Sequence, residues 1–236
     1  MLVKKLLRTI WRYKAQFFSM ILMIMIGVGV FVGFNAEWKS IEYNTNHFFE
    51  TTSFADYRVY SERGFTAEDV SKIKSIEGVE ASSRSLSVNA NIKNSQKSLG
   101  LMVIEDYNLS TLYITEGEEY SKDSDGIYLS DKFAEANDIH LNDTIVLTYN
   151  NIEITGIVVS LVKSSEFMVC VPGEEQLMPD YETYGFCYIT PKKLKDSLNY
   201  EFYTSVFIQS NLDKSTMEQE INTAVSYTHL TLPTIR

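Results

Sequence analysis

From Phe17 to Phe34 the chain reads FFSMILMIMIGVGVFVGF, with Ser19 as its only polar side chain. At ~1.5 Å rise per residue this run covers about 27 Å, close to the hydrocarbon thickness of a bilayer. Ala15, Gln16, Asn35 and Ala36 extend its reach. Trp11, Tyr13 and Trp38 flank it, where amphipathic rings favour the membrane interface. A buried core helix would keep a polar face, and this one has none. A cleaved signal peptide has a shorter apolar core, ~7–15 residues, and a small-residue exit. Here Phe34-Asn35-Ala36 puts a bulky ring where a small side chain is needed. The pattern predicts a retained transmembrane helix over 17–36.

Beyond it the pattern changes period repeatedly. Trp38 to Thr52 is polar and partly periodic, as expected if the anchor helix continues into water. Phe54 to Tyr60 predicts a strand. Thr66-Ala67-Glu68-Asp69 has the form of a capping box, opening a short helix with Val70, Ile73 and Ile76 on its buried side and Gly78 at its C-terminal cap. Leu86, Val88, Ala90 and Ile92 alternate, giving a β-α-β unit from about Asp56 to Ile92. A polar turn at 94–98 leads to a strand over Leu99 to Glu105. Ile127 to Leu129 predicts a strand and Ser130 the cap of a helix through Asn137. Thr144 to Tyr149 and Ile152 to Val162 predict a hairpin around Asn150-Asn151, since Asn tolerates positive φ. Phe167 to Val171, Phe186 to Thr190 and Glu201 to Gln209 predict further strands. Helices are expected from Pro191, the favoured first helical residue, and over Asp213 to Ala224. The class is α+β: one N-terminal transmembrane helix, then a mixed α/β lobe with an inserted β-rich lobe.

Charge sharpens this. Residues 1–36 hold Lys4, Lys5, Arg8, Arg12 and Lys14 and no acid. The whole chain of 236 residues carries −10, so the remaining 200 carry −15. Cations before the span place the N-terminus in the cytoplasm and residues 37 onward outside the cell membrane. An acidic body argues against nucleic acid as a partner. The expected domains are a basic cytoplasmic leader at 1–16, the span at 17–36 and an extracytoplasmic domain at 37–224. Val225 to Thr234 is what an in-frame transposase sequencing adapter would encode, so 225–236 is expected to be an artefact, with the natural chain continuing differently after Ala224.

The chemistry-bearing residues do not assemble into a recognisable catalytic set. There is no P-loop and no G-x-S-x-G elbow. His47, His140 and His229 are scattered, and no cofactor or metal is expected. Asp123-Ser124-Asp125-Gly126 fits part of a calcium loop, but the position needing a bidentate Glu is Lys132, so a solvated turn is the better reading. Whether Cys170 and Cys187 pair is left open: an oxidising compartment permits it, while both sit in apolar runs suited to free thiols. Gly29 and Gly33 form G-x-x-x-G, which either admits a second helix or reflects the abundance of glycine in membrane helices.

Several stretches taken in order resemble the FtsX-like or MacB-type permease subunits of ABC transporters, in the Gram-positive branch. Lys4-Lys5-Leu6-Leu7-Arg8-Thr9-Ile10 with Lys14-Ala15-Gln16-Phe17 is similar to their first membrane helix, and Asn35-Ala36-Glu37-Trp38 follows it suitably. Ile114-Thr115-Glu116-Gly117, then Gly126-Ile127-Tyr128-Leu129-Ser130 with Phe133-Ala134, resembles the family's core-domain pattern. Leu141-Asn142-Asp143-Thr144 has Asn where the family has Gly. Ile154-Thr155-Gly156-Ile157-Val158 matches a strand, and Ser165-Glu166-Phe167 stands where relatives have Pro-Glu-Tyr. The resemblance implies an N-terminal fragment of a non-catalytic permease with later spans. Its partners would be a separate cytoplasmic ABC ATPase, a second permease copy or paralogue, and membrane lipid. It would export or extract peptide, drug or lipoprotein, or control cell-wall hydrolases. A single-span sensor or receptor ectodomain is the alternative reading, followed by an anchored enzyme or binding protein. The cargo is not readable from the sequence.

Overall fold

The computed structural model describes residues 2–173, 175–198 and 201–225. The expected adapter tail from 226 onward, His229 included, lies outside the described residues. The chain divides into two units, Met1–Phe48 and Phe49–Arg236.

The first unit contains α1 (Leu2–Arg12) and most of α2 (Lys14–Thr51). Helix α2 holds an 18-residue window of mean hydropathy 2.5 of which none is buried; among the described residues it is the one helix long and apolar enough to cross a membrane. Phe18, Met23, Ile24 and Phe31 are each at least 60% exposed. A helix of this composition left in water would be insoluble, so its surface calls for an apolar surround. At ~1.5 Å per residue its 38 residues reach about 57 Å, well beyond a bilayer's hydrocarbon core.

The second unit runs β1 (Tyr57–Tyr60), α3 (Ala67–Lys74), β2 (Val79–Ile92), β3 (Ser98–Ile104), β4 (Tyr113–Gly117), β5 (Ile127–Ser130), α4 (Asp131–Ala136), β6 (Thr144–Tyr149), β7 (Ile152–Lys163), β8 (Tyr184–Tyr188), α5 (Pro191–Leu198), β9 (Ser205–Ser210) and α6 (Lys214–Ala224). Strands β1 and β2 both pair antiparallel with β9, which lies between them, so the early β-α-β unit is split by the last strand. Helices α3 and α6 cover this flank. Their Ile73, Met217 and Ile221 pack with Val59, Val206 and Ile208 of the strands. The capping box is present as expected: Asp69 N–H donates to Thr66 Oγ1, and Thr66 N–H to Asp69 Oδ2.

The inserted lobe is a closed ring. The pairs β2–β3, β3–β8, β8–β5, β5–β7, β7–β6 and β6–β2 return to their start. Closure removes edges, and alternate residues then point into one enclosed core. Leu86, Ala90, Leu99, Leu101, Val103, Ile127, Leu129, Ile145, Leu147, Ile154 and Val158 fill it, with Phe133 of α4 and Leu194 of α5 packed in. The long strand β2 serves both lobes: Val79–Ser85 pairs with β9, and Ser85–Asn91 with β3. The two expected lobes therefore share one continuous nine-stranded sheet.

Three local expectations need correction, and one strand was missed. Residues 167–171 are not a strand: Ser164 accepts from Glu166 N–H and starts a 3₁₀ turn at Ser165–Phe167, and Phe167 stacks on Phe186 at 4.6 Å. Helix α3 ends at Lys74 with Ser75 as cap. Gly78, at φ +95°, instead serves the turn into β2. Strand β9 starts at Ser205 rather than Glu201. Strand β4 was not expected as a strand; its mostly exposed, polar residues give no alternation to read. The hairpin at Asn150 (φ 48°) and Asn151 (φ 65°) and the left-handed Asn142 (φ 73°) are as anticipated.

Candidate functional site

The last residues of α2, from Phe49, belong to the second unit, and the way this helix ends is its most elaborated local feature. Ser53 takes a left-handed conformation (φ 48°). Its N–H donates to Glu50 O, and Phe54 N–H reaches back to Phe49 O at 2.9 Å. This is a Schellman closure with serine where glycine is usual, and the accompanying apolar contact is the Phe49–Phe54 stack at 4.5 Å.

The carbonyls just past the helix end are taken up by a loop far along the chain. Ser110 N–H donates to Ser53 O at 2.8 Å, and Thr111 donates to Thr52 O from both N–H (2.7 Å) and Oγ1 (3.1 Å). Ser110 is also left-handed (φ 48°), so two non-glycine residues in a rare conformation face each other. Both Thr52 and Ser110 are buried.

A polar seam leads from there into the sheet. Ser110 Oγ accepts from Ala55 N–H at 3.3 Å and donates to Glu166 Oε1 at 2.7 Å. Glu166 has only 3% of its side chain exposed, and its other oxygen lies 3.9 Å from the Arg58 guanidinium on β1. Arg58 sits over the Phe207 ring at 5.3 Å and donates to Ser205 Oγ at 3.4 Å. Ser205 pairs with Ser85 of β2 at 2.8 Å. Beside this, Ser164 Oγ bonds Tyr188 Oη at 2.7 Å. Burial, and next the Glu166 charge, push the Tyr188 hydroxyl well above the usual phenol range, so it stays neutral. The Tyr107 hydroxyl accepts from Leu112 N–H at 2.7 Å in the same loop; burial pushes it up to about 12.

Chemically this is a set of neutral hydroxyls, one carboxylate and one guanidinium. A carboxylate beside a serine, with no imidazole between them, is a poor activator of a nucleophile. The seam is suited to holding the helix end against β1, β9 and β2. Sequence reading missed it because Glu166 and Arg58 lie far apart in the chain, and a carboxylate near a turn ordinarily faces solvent.

The residues singled out from sequence are not drawn into this site. Gly29 and Gly33 sit four residues apart on α2, and nothing comes within 4 Å of where a Cβ would stand on either. Cys170 and Cys187 are free and buried, and belong to different clusters: Cys187 faces the ring interior, Cys170 the outer layer with Met102 and Phe186. Asp125 is paired with Lys192 at 3.2 Å and Lys122 with Asp106 at 3.3 Å, so the acidic run does not converge. Among the described residues no group of three or more His, Cys, Asp or Glu could hold a metal.

The thiols yield a test. Burial raises Cys170 to about 12 and Cys187 further, so below that pH the neutral, unreactive thiol dominates. At pH 8 roughly one Cys170 in 10⁴ is thiolate. Neither cysteine is expected to react with a maleimide until urea unfolds the domain; rapid labelling of the native chain would contradict this packing.

No protein-family model and no curated protein matches the sequence. Among solved structures, the chain is similar to the extracellular domain of the noncanonic ABC-type transporter YknZ from Gram-positive bacteria. The TM-score is 0.53 at 14% identity, covering 77% of this chain and 99% of that one. It is also similar to the periplasmic region of MacB from Actinobacillus actinomycetemcomitans, with a TM-score of 0.48 at 11% identity, covering 76% of this chain and 86% of that one. At such identity what is shared with the YknZ domain is the fold: a mixed α/β ectodomain of this type.

Proposed function

We propose that this chain is part of the permease subunit of an ABC transporter, with an extracytoplasmic domain that moves in response to ATP hydrolysis in a separate subunit. The observation that carries the reading is a single helix, Lys14–Thr51, long enough to leave a membrane and rooted in a domain with the YknZ-type fold. In this reading 1–16 is a cytoplasmic leader, 17–36 the span and 37–224 the extracytoplasmic domain. The chain has no catalytic role of its own. An ABC ATPase binds on the cytoplasmic side, and a second permease copy or paralogue packs beside it, with Gly29 and Gly33 as the close-approach face.

The mechanism follows from stiffness. An α-helix transmits axial and tilting motion only while its hydrogen-bond ladder is unbroken. The Schellman closure and the seam through Ser110, Glu166 and Arg58 then pass that motion to β1, β9 and β2. Peptides, drugs, lipoproteins or a cell-wall hydrolase are the classes of target this stroke would serve. A flexible Gly-Ser insertion after Trp38, made in the full transporter, tests the lever. ATP hydrolysis should persist while coupled transport falls to background. Transport at the parent rate would overturn the lever.

A further inference from the structure

We infer that the loop from Met168 to Thr183 is a docking surface for a basic, apolar segment of a partner polypeptide. Among the described residues, none between Phe167 and Tyr184 belongs to a helix or strand. Connections this long inside a sheet domain are uncommon and usually serve binding. Both ends of the loop are pinned. Cys170 is buried in the outer layer with Tyr184 and Phe186, and Tyr181 packs against the same layer. Asn137 donates to Tyr181 O at 2.8 Å. The Asp180 carbonyl accepts from Tyr184 N–H at 2.9 Å, and its carboxylate accepts from Thr183 Oγ1 at 2.8 Å. The stretch between these anchors has the form of an Ω-loop.

Its tip is apolar. Leu177 is 86% exposed and Met178 76%, more than any large apolar side chain of the 17–34 run, where Met23 at 72% is the most open. Met168 and Val169 are exposed at the start of the loop. Gln176 fixes the turn that carries the tip: its N–H donates to Gly173 O at 3.3 Å and its Nε2 to Met178 O at 2.8 Å. A turn already held in this way loses little backbone freedom on binding, so covering Leu177 and Met178 is favourable. Methionine also adapts readily to the shape of what covers it.

Charge selects the occupant. Residues 168–183 include Glu174, Glu175, Asp180 and Glu182 and no Lys, Arg or His. Glu175, Asp180 and Glu182 are exposed. An apolar tip flanked by carboxylates is repelled by an anionic lipid surface, and by a second copy that brings the same acids. It complements a segment in which apolar side chains alternate with lysine or arginine.

The test uses the full chain in a neutral maltoside detergent, with three short fluorescein-labelled peptides as probes. One alternates lysine with leucine, one glutamate with leucine, and one lysine with serine. Binding is read by anisotropy against empty micelles. The lysine–leucine peptide should bind the parent chain, more weakly as salt rises. Leu177→Ser combined with Met178→Ser should weaken that binding by about tenfold. Glu175→Gln combined with Glu182→Gln should weaken it by about threefold and flatten its salt dependence. The other two peptides should bind the parent at least about tenfold less tightly than the first. All four changes are at exposed positions, and Cys170 and Cys187 that stay silent to maleimide show that each variant is folded. Binding to the parent no better than to empty micelles, binding unaffected by Leu177→Ser with Met178→Ser, or equal binding of the glutamate–leucine peptide would overturn the assignment. So would a dimer in sedimentation that Leu177→Ser with Met178→Ser dissolves, since the loop would then join two copies of the chain.

Discussion

Replacing Glu166 by alanine is expected to destabilise the sheet domain by about 3 kcal/mol, the range seen when one member of a buried charged, hydrogen-bonded pair is removed. The carboxylate is almost wholly enclosed, receives the Ser110 hydroxyl at 2.7 Å and lies 3.9 Å from Arg58. Alanine leaves that hydroxyl without its acceptor and removes a carboxylate 3.9 Å from a partly buried guanidinium. Glu166→Gln keeps an oxygen for Ser110 and loses only the charge, so it should cost roughly 1 kcal/mol. Amide hydrogen exchange of the full chain in detergent separates local from global effects. The Ser110 and Thr111 amides, which bond the carbonyls at the helix end, should gain protection loss beyond that of the ring strands. Equal loss everywhere would mean that the seam does not specifically secure the helix root.

Gly185→Ala should be nearly as damaging, for a different reason. Gly185 lies in β8 facing the ring core, and a Cβ there would stand 2.5 Å from Phe133 Cβ and Cγ. Phe133 is fully buried on α4, so neither the ring nor the helix can yield cheaply. Overpacking of this kind costs typically 1–3 kcal/mol, and the contact at Cβ rather than at a flexible tip puts it at about 3 kcal/mol. Phe133→Ala alone opens a cavity and costs a similar amount. The double variant should cost less than the two changes added, but only in part: losing the ring removes the contacts at Cγ (2.5 Å) and Cδ2 (2.6 Å), while alanine keeps the Cβ contact at 2.5 Å. Strict additivity would show that α4 does not rest on β8 as described.

How much of this was legible in the sequence depends on the range over which each feature is decided. Thr66 with Asp69, Ser130 before Asp131, and Asn150-Asn151 are local devices, and each stands where its spacing placed it. The class and the two-lobe plan followed from the order of such elements. Closure of the ring was not readable, because it depends on Asn91 and Ile92 meeting Thr148 and Leu147, which no local pattern encodes. The end of α2 was read within one residue, at Thr52 against Thr51, but the device that makes it was hidden. A helix stop is read from glycine, and here Ser53 adopts the left-handed turn, supported by Ser110 and the Phe49–Phe54 stack. Glu166 was noticed only as part of a family-like triplet. What makes it matter is its burial beside Ser110 and Arg58, which only the tertiary fold creates.

The most direct measurement is cysteine accessibility in intact spheroplasts, using a maleimide that cannot cross the membrane. Lys122, exposed in the sheet domain, and Arg8, in the leader, are each replaced by cysteine; the native Cys170 and Cys187 are buried and should stay silent. The account predicts that Lys122→Cys is labelled on intact spheroplasts and Arg8→Cys only after permeabilisation. Labelling of Arg8→Cys with protection of Lys122→Cys, or protection of both until lysis, would contradict it.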